Sequence, residues 1–231
     1  MTPPQAFADR RAAGRELAKK VMRLKLEDPV VLALPRGGVP VAFEVAKALN
    51  APLDILMVRK IGAPGHVEFG IGALVDGALP QIVIDHGAAR TVGASQEYID
   101  RQVARQLAEI ERRRALYRTG PAVPLKDRDV ILVDDGIATG GTVRAALQGL
   151  SKVEPAHVVL AVPVAPPDTL SALGALCDKV ICLASPDPFF AVGMHYRDFS
   201  QTEDAEVMQL LAQARRWVPT GTKETDVRQS G

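Results

Sequence analysis

Residues 129–142, Asp-Val-Ile-Leu-Val-Asp-Asp-Gly-Ile-Ala-Thr-Gly-Gly-Thr, constrain this chain more than any other stretch. The apolar run Val130, Ile131, Leu132, Val133 is short and rich in β-branched side chains, which predicts a buried strand. Two adjacent carboxylates, Asp134 and Asp135, fall where that strand should end. Small residues fill 136–142, and a helix pattern follows, with Val143, Ala146, Leu147 and Leu150 on one face. Gly140 and Gly141 lack a Cβ, so the backbone there can take positive φ and come close to a ligand. Thr139 and Thr142 add hydroxyls. The N–H groups that open the helix have no intrahelical acceptor and sit at the positive end of its dipole, which makes a phosphate site. The carboxylates repel phosphate. They suit sugar hydroxyls, a divalent cation or a cationic transition state a few ångströms away.

Other phosphate loops fit less well. A Walker A loop requires a lysine that this loop does not contain, and the dinucleotide pattern lacks its intermediate glycine between Gly136 and Gly140. An ordinary strand-to-helix turn has no need of two acids and two threonines around Gly-Gly. Residues 130–142 resemble the phosphoribosyl pyrophosphate (PRPP) motif of the type I phosphoribosyltransferases: an apolar strand, two acidic residues, and a loop of the Ala-Thr-Gly-Gly-Thr kind. The Pro35-Arg36-Gly37-Gly38 turn and the Arg59-Lys60 pair resemble a group of uncharacterised predicted phosphoribosyltransferases within that family.

The rest of the chain agrees with an α/β protein. Its 231 residues, 47% hydrophobic and 24% charged, predict one globular domain over 1–218, with a polar tail at 219–231 that should be disordered. A net charge of +1 and 4% aromatics give no general basis for nucleic-acid binding. No apolar run approaches the roughly 18 residues of a membrane span, and the first residues do not read as a signal peptide. A cytoplasmic protein is the expectation. Cys177 and Cys182 cannot form a zinc site alone, and their spacing is not that of a redox pair.

Taken in order, residues 5–26 predict an amphipathic helix with Ala13, Leu17, Val21 and Leu24 inward. Strand 30–34 leads through Pro35-Arg36-Gly37-Gly38 into a helix over 39–49. This is a second strand–glycine turn–helix unit, with arginine in place of the acids. A strand over 53–58 ends at Arg59 and Lys60. Residues 61–95, punctuated by glycine, predict a hairpin-like, partly mobile excursion. A long helix over 96–118 buries Ile99, Val103, Leu107, Ile110 and Tyr117. Strand 157–164, helix 166–176 and strand 179–183 continue the alternation that argues a parallel sheet. Residues 185–199 break it and gather Phe189, Phe190, Tyr196 and Phe199. A helix over 202–217 closes the chain. In an open parallel sheet ligands lie beyond the carboxyl ends of the strands, so Arg36, Arg59, Lys60, Asp134 and Asp135 are expected along one edge.

The resemblance implies an open, mainly parallel sheet flanked by helices, a flexible loop and a small C-terminal hood segment. It implies a Mg²⁺-dependent transfer of the phosphoribosyl group from PRPP to a nitrogen acceptor, with loss of pyrophosphate, as in nucleotide salvage. Ala138, Thr139, Gly140, Gly141 and Thr142 would bind the 5′-phosphate. Asp134 and Asp135 would be the catalytic acids, on the ribose hydroxyls directly or through Mg²⁺. Arg36, Gly37, Gly38, Arg59 and Lys60 would hold the pyrophosphate. Phe190, Val192 and Tyr196, near Asp198, are candidate contacts for the base, a purine favoured over uracil. Homodimers are common in the family. Two alternatives stay open on the same site: a PRPP-binding regulator without catalysis, and a hydrolase of a ribose phosphate.

Overall fold

A computed structural model describes residues 6–76, 80–117 and 122–216. The tail expected to be disordered lies outside these residues. Five strands form a parallel sheet in the order β2 (Leu53–Ile55), β1 (Pro29–Ala33), β6 (Asp129–Val133), β7 (His157–Val164), β8 (Lys179–Ala184). Period-two alternation in the central strands sorts their side chains between two faces. Val31, Ala33, Ile131, Val133, Val159 and Ala161 pack on one face, against α1 (Arg10–Val21), α2 (Gly38–Leu49) and α7 (Asp204–Ala214). Val30, Leu32, Val130, Leu132, Leu160 and Val162 pack on the other, against α5 (Gly141–Leu150) and Leu173 of α6 (Pro167–Gly174). Burial on both faces is why these strands read as continuous apolar runs.

The helices begin where local chemistry permits. The Asp9 carboxylate accepts from the Ala12 N–H at 2.6 Å and caps α1 at Arg10, inside the expected 5–26. Helix α2 is buried from Gly38 through Ala46, because α1 lies along one side of it and the sheet along another. Even Glu44 is buried there, held by Arg11 at 2.6 Å. Inward-facing Val143, Ala146, Leu147 and Leu150 of α5 and Val207, Leu210, Leu211 and Ala214 of α7 are buried as their spacing predicts.

The strand expected over 53–58 is corrected by the structure. Strand β2 stops at Ile55, and a separate antiparallel sheet runs β3 (Val58–Ala63), β4 (His66–Val75), β5 (Gln81–Ile84). Arg59 and Lys60 therefore lie inside β3 rather than at the carboxyl end of a parallel strand. The excursion is regular antiparallel sheet followed by α3 (His86–Thr91), and the long helix α4 (Gln96–Tyr117) packs against it. Ile61, Ala63, Ile71, Ala89 and Ile99 give this unit a small core of its own.

Strand order decides where a ligand can sit. The chain passes from β1 outward to β2, and later returns through β6 on the other side of β1. The loops after β1 and β6 thus leave the same sheet edge in opposite directions, and the crevice between them is the usual ligand position of an open α/β sheet. Ala33 pairs with Val133 in parallel register, and the Leu34 N–H donates to the Val133 carbonyl at 2.9 Å, so the two loops start side by side.

Candidate active site

The loops after β1 and β6 touch because glycine stands at their contact. A Cβ at Gly37 would lie 2.1 Å from Asp135 Oδ2, and one at Gly38 would lie 2.8 Å from the Val133 carbonyl oxygen. Such separations are far inside van der Waals contact, so a larger residue at 37 displaces the Asp135 carboxylate and one at 38 presses on the backbone at Val133 and Asp134. The Pro35–Arg36 peptide is cis. The Gly38 and Val39 N–H groups donate to the Leu34 and Arg36 carbonyls, at 3.1 Å each. Of the amides expected to face an anion here, Gly38 is thus engaged by the backbone.

Asp134 is half-buried. Its Oδ1 accepts from the Asp135 N–H at 2.9 Å. Burial holds its carboxyl well above the usual carboxylate range, and the neighbouring Asp135 charge pushes the same way. Asp135 faces Arg10: Arg10 Nε donates to Asp135 Oδ2 at 2.7 Å, with the two side chains only 12% and 15% exposed. The same guanidinium donates to the Ser200 carbonyl at 2.6 Å and lies 3.9 Å over the Phe199 ring. Sequence reasoning missed Arg10. It sits on an amphipathic helix among other arginines, and its partner is 125 positions away.

Beyond the acids the loop turns sharply. Gly136 packs on Val192, where a Cβ would fall 2.4 Å from Val192 Cγ1. Gly140 has φ of +77°, the left-handed region that favours glycine. The Arg144 N–H makes the first helical hydrogen bond, to the Gly140 carbonyl at 2.8 Å, which leaves Gly141, Thr142 and Val143 N–H groups without an intrahelical acceptor. Ala138, Thr139, Gly141 and Thr142 are exposed, and open space lies where a Gly141 Cβ would stand.

The remaining expected site residues divide. Arg36 is partly exposed and turns toward the start of α7, with Nη1 3.6 Å from Asp204 Oδ1 and 3.9 Å from Glu203 Oε2. Arg59 and Lys60 do not act as a pair, because successive residues of a strand face opposite ways. Arg59 donates to Gln106 of α4 at 3.0 Å. Lys60 instead lines a cavity of about 440 Å³ between α5 and the antiparallel sheet, together with Gly141 and Thr142. Tyr196 is corrected as a base platform. It is 6% exposed, its ring lies against Phe7 and Phe199, and its hydroxyl donates to the Asp135 carbonyl. Phe190, by contrast, is 74% exposed. No group of three or more His, Cys, Asp or Glu side chains among the described residues could hold a metal. Two adjacent carboxylates still fit an ion of the Mg²⁺ kind, which typically takes one or two carboxylates and completes its shell with water and substrate phosphate.

The structure thus has an open α/β sheet with an acid pair and a glycine loop at its switch point. The chain belongs to the phosphoribosyl transferase domain family, which it matches over residues 6–198. The solved structure of TT1426 from Thermus thermophilus is 44% identical, with a TM-score of 0.78, over 90% of this chain and 98% of that one. Two Mycobacterium tuberculosis proteins with provisional phosphoribosyl transferase names, from strains CDC 1551 and H37Rv, are each 45% identical over 91% of this chain. The chain spans about half of their length, 47%. A purine phosphoribosyltransferase from Pyrococcus horikoshii is 19% identical over 79% of this chain and 92% of that one, with a TM-score of 0.42. No helix among the described residues is long and apolar enough to cross a membrane.

Proposed function

We propose that this protein moves the 5-phosphoribosyl group of PRPP to a nitrogen acceptor, with a purine base favoured, and releases pyrophosphate. The observation that carries the reading is the contact between the 35–38 turn and the 134–142 loop at the switch point of the sheet, with Gly37 against Asp135. One loop offers amides to a leaving anion, and the other offers acids and amides to a sugar phosphate.

In the reaction the bond from the anomeric carbon to the pyrophosphate oxygen breaks, a carbon–nitrogen bond forms, and the acceptor nitrogen loses a proton. The transition state resembles an oxocarbenium ion, as in glycoside cleavage. Gly141 and Thr142 amides, with the Thr139 and Thr142 hydroxyls, hold the 5′-phosphate. Asp134 and Asp135 hold the ribose hydroxyls and face the developing positive charge. Arg10 fixes the Asp135 carboxylate in place from α1, and Tyr196 fixes its backbone. The free amides of the 35–38 turn stabilise the departing pyrophosphate, as preorganised donors do where charge develops. Asp134 and Asp135 are the residues that would hold Mg²⁺, which would supply charge neutralisation for the pyrophosphate. Val192, seated on Gly136, and exposed Phe190 mark the side assigned to the base.

Incubation with Mg·PRPP and each common base, while pyrophosphate release is followed, tests this. Release that depends on the base supports transfer. Release without a base indicates a hydrolase, and binding without release indicates a regulator. Asp135→Asn should remove turnover by more than tenfold, on the order of 2–4 kcal/mol, while the fold persists; undiminished activity sinks the assignment.

A further inference from the structure

The loop assigned to the 5′-phosphate, residues 138–142, contains neither lysine nor arginine and follows directly on two carboxylates. A phosphate dianion seated there meets amide dipoles and hydroxyls on one side and two acids on the other. Cations from elsewhere in the fold must balance it, because like charges a few ångströms apart disfavour binding. The cavity of about 440 Å³ beside the loop brings two of them: Lys60 from β3 and Arg144 from the first turn of α5 share its lining with Gly141 and Thr142. Arg144 is exposed and makes no ion pair with another described residue. Gly70 leaves room for the Lys60 stem, since a Cβ there would come within 3.3 Å of Lys60 Cγ and Cδ. Asp85, the acid in the lining, is committed to capping α3, where it accepts from the Ala88 N–H at 2.9 Å.

We propose that Lys60 and Arg144 bind the phosphate end of the substrate, and that Lys60 takes no part in holding pyrophosphate. This rests on the PRPP reading of the site. The split follows from the alternation of β3, which sends Arg59 to α4 and Lys60 to the α5 side. Both side chains line the cavity that Gly141 and Thr142 border, and no residue of the 35–38 turn does, so they discriminate in favour of a sugar that carries a terminal phosphoryl group.

Titration calorimetry on the intact chain, with ribose 5-phosphate and separately with inorganic pyrophosphate, tests it. Lys60→Gln and Arg144→Gln should each weaken ribose 5-phosphate by about three- to tenfold, the range of a partly exposed charge-assisted contact. Pyrophosphate affinity should stay within about twofold, and Arg144→Lys should keep most of the ribose 5-phosphate affinity because it keeps the charge. Weakening should shrink at high salt, as for any exposed charge pair. Unchanged ribose 5-phosphate binding in both variants overturns the proposal, as does a larger loss for pyrophosphate. Wild-type protein that binds neither ligand overturns the PRPP reading itself, a result distinct from wild-type binding that the variants leave intact.

Discussion

Replacing Arg10 with alanine should destabilise the fold by about 2–4 kcal/mol. The side chain joins three segments that are remote in sequence: Asp135 at 2.7 Å, the Ser200 carbonyl at 2.6 Å and the Phe199 ring at 3.9 Å. Truncation leaves Asp135 beside half-buried Asp134 with no counter-ion among the described residues. Removing one partner of a fully buried pair costs about 3–5 kcal/mol, and the residual exposure of 12% and 15% reduces that. Loss of the charged hydrogen bond to Ser200 and of the contact over Phe199 adds to it, although such terms do not sum. The expected fall in Tm is roughly 4–16 °C for a domain of this size. Urea unfolding at constant m-value measures the change, with Asp135→Asn and the double variant completing a cycle. If Arg10 acts mainly as counter-ion, the double variant loses less than the sum of the singles, by about 1–3 kcal/mol. An Arg10→Ala protein within about 0.5 kcal/mol of wild type, or strict additivity in the cycle, refutes this account of the site.

Three further outcomes follow from the same geometry. Gly37→Ala drives a methyl group into Asp135, so it should cost about 1–3 kcal/mol by overpacking and abolish pyrophosphate release in the turnover assay; wild-type rates would show that the two loops can part freely. Asp134→Asn removes a carboxyl whose ionisation burial opposes, while Oδ1 can still accept from the Asp135 N–H; the ligand-free protein should gain about 0.5–2 kcal/mol and lose turnover, and a lower urea midpoint would contradict it. The Asp129 carboxylate, 2.7 Å from His157 Nδ1, holds that imidazole above its ordinary range. A raised folded-state value means the stabilisation is complete below about pH 6.5, the unfolded value, and is lost as pH rises through the folded value. His157→Gln should flatten the urea midpoint across that window, and an unaltered pH profile would deny the pair its role.

Local chemistry alone marked much of this protein. Continuous apolar runs announced strands buried on both faces, helical spacing named the inward residues of α5 and α7, and the 134–142 stretch announced a strand end, a tight glycine turn and a helix start. These signals are local, because a strand end, a helix N-terminus and a positive φ at Gly140 involve residues adjacent in the chain. Tertiary structure decided what contacts across long separations decide. It cut the second strand at Ile55, put Arg59 and Lys60 on opposite faces of an antiparallel sheet, buried Tyr196 under Asp135, and brought Arg10 to the acid pair. The order β2-β1-β6 set the two loops side by side. Sequence shows which residues can do the chemistry; strand order and side-chain packing select those that meet, since they depend on pairings no short window of the chain contains.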